Sequence, residues 1–152
     1  MSEIDSTRPS GDLTPDMAVQ PLDTIRSYHA HIYFEGPQQR GIAEILREQI
    51  AQRFSVVIGR WHELPIGLHS RPMYQVAFST SEFARFVPWL MINLRGLAVL
   101  IHPNTGRPRR DHLSNAIWLG EKLDINSAVF TVEYRPGPEP AIVPTTYPTI
   151  TP

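Results

Sequence analysis

The chain has no cysteine, which excludes disulfides, thiolate zinc sites and cysteine nucleophiles. It also has no apolar run near the ~20 residues of a membrane span. Its first seventeen residues (MSEIDSTRPSGDLTPDM) lack the basic start and apolar core of a signal peptide. A cytoplasmic protein with no membrane partner is therefore expected. Net charge is scarce as well: the formal value of −1 excludes a general polyanion binder. Internal repeats are missing. At 152 residues and 41% hydrophobic, the chain suits one domain with loose ends. What it does have is proline, fifteen residues, and histidine, six.

Their positions divide the chain. Pro9, Pro15 and Pro21 fall in residues 1–27, and Pro136, Pro138, Pro140, Pro144, Pro148 and Pro152 in residues 135–152. Proline removes backbone donors and favours extended chain, and neither segment has much apolar surface to bury. The expected plan is an acidic N-terminal arm (1–27), a folded domain (28–134) and an extended proline-rich tail (135–152). Ile142, Val143, Tyr147 and Ile150 of that tail are available to dock on a neighbour.

Within the domain, Tyr28–Phe34 (YHAHIYF) alternates and reads as a strand. Gln38–Phe54 carries Ile42, Ile45, Leu46 and Ile50 at helical spacing. Ser55–Trp61 and Met73–Phe78 read as strands two and three. Ser79 with Glu82 suggests a capping box before a second helix striped by Phe83, Phe86, Val87, Leu90 and Leu94. Pro88 inside that stripe implies a kink or a later start. Leu97–Ile101 is a fourth strand, Arg107–Asn115 a polar loop, and Ala116–Leu119 and Ala128–Tyr134 weaker strand candidates. The order β-α-β-β-α-β predicts an α+β, ferredoxin-like sandwich.

All six histidines lie between residues 29 and 112. A sheet order of 4-1-3-2, with strands one and three parallel and two and four opposed to them, brings His29, His62, His69 and His102 to one edge. His112 follows in the loop leaving that edge. Parity puts His29, His31 and Tyr33 on one face of strand one, and Ala30, Ile32 and Phe34 on the face that two helices cover. The histidine face needs a cover, from a second subunit in a homodimer or from the C-terminal strands and tail. A lone His is usually a surface or hydrogen-bonded core residue, and this is the reading for His62. Several converging imidazoles suit a metal such as Fe, Cu or Zn. Metal-free acid–base chemistry and a non-catalytic binding module are the alternatives. Trp61, Trp89 and Trp118 read as core aromatics.

In HPNTGRPRRDH (102–112) the arginines are suited to a substrate carboxylate, and without interleaved aromatics they do not indicate nucleic acid. Asp111 is placed to orient an imidazole or to ligate, with Glu35 and Glu63 as the other carboxylates in range.

Four segments together, YHAHIYF, GLHSRPMYQVAF, VPWL and above all VLIHPNTGRPRRDHLSNAIWLG, resemble the small DOPA 4,5-dioxygenase family from about Tyr28 to Leu123. The resemblance implies a commonly dimeric ferredoxin-like fold, mononuclear non-haem Fe(II), and extradiol cleavage of DOPA or a related catechol by O₂. It carries His29, His31, His69, His102 and His112 into the site. On that reading His31 and His69 are ligands, joined by His29 or His112. His29 and His112 are also the acid–base candidates, and His102, Arg110 and Tyr33 the substrate contacts.

Overall fold

The computed structural model describes residues 17–152; residues 1–16, most of the expected arm, lie outside the described residues. Five strands, β1 (Ser27–Tyr33), β2 (Val57–His62), β3 (Met73–Phe78), β4 (Ala98–Asn104) and β5 (Ile117–Leu119), form one antiparallel sheet in the order β2-β3-β1-β4-β5. Three helices accompany it: α1 (Gly36–Arg53), α2 (Phe83–Ile92) and the short α3 (Pro108–His112). The β-α-β-β-α-β order is as the sequence predicts, with β5 added beside β4.

Alternation on β1 sorts its side chains. Ala30, Ile32 and Phe34 join Ala43, Leu46 and Ile50 of α1 and Phe86, Val87 and Leu90 of α2 in the principal core. The α1 residues recur at helical spacing, so one stripe reaches the sheet while Ile45 stays exposed. Each fully buried Leu, Ile or Phe contributes roughly 1.5–3 kcal/mol. Pro37 in the first turn of α1 suits a position whose N–H needs no helical partner. Pro88 is inside α2, where it leaves the Ala84 carbonyl without a helical donor. The predicted capping box does not form: Ser79 Oγ meets Ser81 Oγ at 2.7 Å, and a 3₁₀ turn (Thr80–Glu82) leads into α2.

The expected strand directions need correction. β1 is antiparallel to both β3 and β4, and β2 to β3. A helical crossover from β1 to β2 followed by a hairpin forces this, because β2 must then run with β1. One row across the sheet is Val57–Ala77–His29–His102, and His62 lies at the opposite end, in the row His62–Met73–Tyr33–Ala98. His62 is thus not part of the histidine edge.

The second face is covered within the chain. Tyr33, Met73, Ala98, Leu100 and Leu123 form a smaller cluster there, with Trp118 stacked on Tyr33. The segment before β3 pairs with residues 125–126, through the His69–Ile125 bridge and the Asn126 N–H to Leu68 carbonyl bond. Residues 128–134 form no strand; a 3₁₀ turn (Ser127–Val129) takes their place. The tail returns to its own domain through Thr145 and Thr146, while Val143 and Tyr147 remain exposed. Among the described residues no helix is long and apolar enough to cross a membrane.

Gly106 turns the chain from β4 towards α3 at φ +83°, and an added Cβ would sit 2.7 Å from the Arg135 carbonyl oxygen. Gly36 has a similar φ of +77° with nothing within 4 Å. Both positions strain an L-residue, but only Gly106 also adds a backbone clash. Urea unfolding is expected to show Gly106→Ala losing about 2 kcal/mol or more, with Gly36→Ala closer to ~1 kcal/mol. Equal losses would contradict this account of the turn.

Candidate metal centre

The β1–β4 register sets His29 directly opposite His102, with ring centroids 5.0 Å apart. His31, two residues along β1, shares that face, and its Nε2 is 3.1 Å from His102 Nε2. Two further imidazoles arrive from outside the sheet. His112, at the end of α3, lies 3.8 Å from the His102 ring and 6.0 Å from that of His31. His69, on the segment before β3, lies 4.4 Å from the His31 ring. Five of the six histidines therefore meet over one patch of sheet.

The run from residue 102 to 112 is built to hold this arrangement. His102 Nδ1 donates to the Pro103 carbonyl at 2.9 Å, and His112 Nδ1 to the Pro108 carbonyl, one helical turn earlier, at 2.7 Å. A carbonyl can only accept, so in the neutral ring each bond fixes the proton on Nδ1 and leaves the lone pair on Nε2, which in His102 faces His31 Nε2. Asn104 Nδ2 ties β4 to Ser27 Oγ at 2.9 Å. Asp111 is buried, but it faces Thr105 N (2.8 Å), Thr105 Oγ1 (2.6 Å) and Asn115 Nδ2 (3.2 Å). It braces the turn and hydrogen-bonds no imidazole.

The other carboxylates are also elsewhere. Glu35 pairs with Arg71, and Glu63 with Arg40. Among the described residues, the group whose ligand atoms lie within 4.8 Å of one another, and could hold a metal ion, is His29, His31 and His102. It contains no acid. His102, expected at the substrate, belongs to this closest trio, whereas His69 and His112, expected as ligands, flank it. Tyr33 does not face open space: it is buried, and its hydroxyl meets His69 Nδ1 at 2.6 Å. Arg110 is exposed on the outer side of α3. It lines a 510 Å³ cavity with Arg107, Arg109, Leu113 and Phe130, and Phe130 also packs against the His112 ring at 5.0 Å.

Burial keeps these rings neutral. It lowers His29 to about 4, with the His112 charge adding to the effect. It lowers His69 to about 4 as well, helped by the charges of His112 and His62. His31 and His102 are held well below the ordinary imidazole value by burial first and by their histidine neighbours second. His112 is lowered by burial, against the Pro108 carbonyl and Asp111. The residues fit a cation. Three neutral donors converge, and His31 Nδ1 is buried without a hydrogen-bond partner, a cost that a bound ion would offset.

The sequence could not show that α3 aims His112 inward or that Tyr33 holds His69. The one available signal was the Pro-x-x-x-His spacing of residues 108–112, which places a carbonyl and an imidazole one turn apart.

Comparison with known proteins bears on this site. The model of the Dopa 4,5-dioxygenase family matches residues 28–129, a span that contains all five clustered histidines. An uncharacterised 21.2 kDa protein of Botryotinia fuckeliana is 38% identical over 70% of this chain and 66% of its own length. A DOPA 4,5-dioxygenase of Amanita muscaria is 28% identical over 81% of this chain and 56% of its own. The chain thus spans less than two thirds of either curated relative. A crystal structure of a candidate dioxygenase from Nostoc punctiforme superposes with a TM-score of 0.71 at 42% identity, covering 73% of this chain and 96% of that one.

The depressed imidazoles have a consequence for the metal-free chain. Their unfolded value is 6.5 and two of the folded values are about 4, so below pH 6.5 the unfolded state binds more protons. Stability is therefore present above about pH 6.5 and falls as the pH drops towards 4. Urea midpoints measured across that window are expected to decline steadily, and less steeply in His29→Gln. A flat profile would contradict the burial of neutral rings.

Proposed function

The chain belongs to the Dopa 4,5-dioxygenase family, and we propose that it cleaves the ring of a catechol, DOPA or a relative, beside its diol, using O₂ and one Fe(II) held by His29, His31 and His102. The observation that carries this reading is the convergence of those three imidazoles, their ligand atoms within 4.8 Å, on a face without a carboxylate. When bound, Fe(II) would supply Lewis acidity towards the two catechol oxygens and a spin-allowed route for O₂.

The remaining residues divide by proton position. Burial raises the Tyr33 hydroxyl, so it stays a phenol, and His69 Nδ1 is the partner recorded for its proton. A neutral His69 that accepts at Nδ1 carries its own proton on Nε2. His69 is then a donor towards the substrate, and Tyr33 holds it in that tautomer. His112 has the opposite tautomer, with Nδ1–H on the Pro108 carbonyl, and its Nε2 is free to accept a proton from a catechol hydroxyl. The neutral donor set would leave the charge of a bound ion uncompensated and so would favour an ionised catechol over the neutral diol. Met73, Leu100 and Leu123 form an apolar cluster with Tyr33 beside the site.

The test is anaerobic loading with Fe(II), then catechols and O₂, followed by absorbance of the ring-cleavage product. One Fe(II) per chain and a yellow product are expected. His31→Ala and His102→Ala should each weaken metal binding and turnover by about 10–100-fold or more, whereas His62→Ala should leave both near the parent level. Turnover insensitive to chelation would favour metal-free imidazole chemistry instead.

A further inference from the structure

The arginines of the run from Arg107 to Arg110 differ from others in the chain. Arg40, Arg71 and Arg85 are paired with glutamates, whereas Arg107, Arg109 and Arg110 form no ion pair among the described residues. The acid that follows them, Asp111, is buried, and its oxygens accept from Thr105 and Asn115 rather than from a guanidinium. In a chain of formal net charge −1, three unpaired guanidiniums make a local excess of positive charge.

All three border the 510 Å³ cavity, whose other walls include the apolar side chains of Leu113, Phe130 and Val132. Two of the guanidiniums are held in place. Arg107 lies over the Tyr134 ring at 4.9 Å, and Arg109 Nη1 donates to the Ser127 carbonyl at 3.4 Å. A guanidinium has five N–H donors, so most of theirs remain for another acceptor. Glu133 is the carboxylate on the same wall; it pairs with none of them, and positive groups outnumber it three to one. Arg107 and Arg110 also border a smaller cavity of 300 Å³ beside Leu22, but Arg109, Phe130 and Val132 belong to the larger one alone. A planar guanidinium matches the two oxygens of a carboxylate, and an apolar wall suits a hydrocarbon body.

We propose that this cavity binds a small organic carboxylate, with Arg109 and Arg110 on its oxygens and Phe130 and Val132 against its apolar body. The site requires no metal. Phe130 also packs against the His112 ring at 5.0 Å, so an occupant in contact with Phe130 is one side chain away from the imidazole cluster. The same chemistry has two sources. One is the carboxylate tail of a ring substrate, which rests on the ring-cleavage reading; the other is a separate carboxylate bound alongside the ring.

The test titrates the full chain, metal-free and at constant ionic strength, with phenylacetate, acetate or benzyl alcohol. Nuclear magnetic resonance follows the arginine Nε–H groups and the amides of residues 109–114 and 130–133. Saturable shifts are expected with phenylacetate, which should bind about tenfold or more tightly than either other probe. Arg109→Gln/Arg110→Gln should weaken that binding about tenfold or more; if its far-UV circular dichroism departs from the parent's, Arg109→Gln alone decides. Shifts that never saturate, that are equal for the three probes, or that persist unchanged in the variant would overturn the proposal. Turnover then separates the sources. Phenylacetate that competes with dihydroxyphenylacetate, a catechol with a carboxylate tail, but not with methylcatechol assigns the cavity to the substrate's tail. An equal effect on both, or none, assigns it to a separate ligand. If no catechol is cleaved, the ring-cleavage reading fails and the titration still decides the carboxylate site.

Discussion

The antiparallel register of β1 and β4 places His29 across from His102, and much of the molecule follows from what that pairing demands. Two imidazoles side by side on a sheet, with His31 next along β1 from His29 and diagonal to His102, can be buried only if they stay neutral and their nitrogens find partners. The Pro103 carbonyl is such a partner for His102, and the Pro108 carbonyl and Tyr33 do the same for the neighbouring rings of His112 and His69. The turn that positions them is braced by Asp111, whose buried carboxylate is spent on Thr105 and Asn115 rather than on a metal. One nitrogen, His31 Nδ1, is left over. A cation at the trio would relieve the crowding of lone pairs that the register creates.

The rest of the fold serves this face by leaving it to polar chemistry. Both long helices pack on the other side, where the main core supplies most of the burial. The covering layer over the histidines is thin: α3 and the paired segments around His69 and Ile125. It comes from the same chain, which also supplies the five clustered imidazoles. At the opposite edge from β5 the tail bonds Val56 and Ile58.

Much of this was legible in the sequence. The alternation of YHAHIYF gave the correct faces for residues 29–34, and helical spacing located both long helices despite Pro88. The family-like run at 99–120 brought His102 and His112 into the site. Other parts were beyond pattern reading. Strand direction depends on how a crossover and a hairpin combine, and reading it wrongly placed His62 among the clustered rings. The carboxylates Asp111, Glu35 and Glu63 looked available because sequence shows proximity along the chain and not hydrogen-bond partners. Arg110 looked inward for the same reason, though a five-residue helix turns it out. Ala128–Tyr134 has strand-like composition, but no neighbouring edge receives it. The tail was read for its apolar residues, whereas its threonines make the contacts.

The central claim is that one ion sits on His29, His31 and His102. Anomalous diffraction from crystals grown with Fe(II) under anaerobic conditions tests it most directly. The account predicts a single iron peak within bonding distance of one nitrogen from each of those three residues, with His69 and His112 beside it and unbonded. A peak held instead by His69 or His112, or no peak at the trio in iron-loaded crystals, would contradict it.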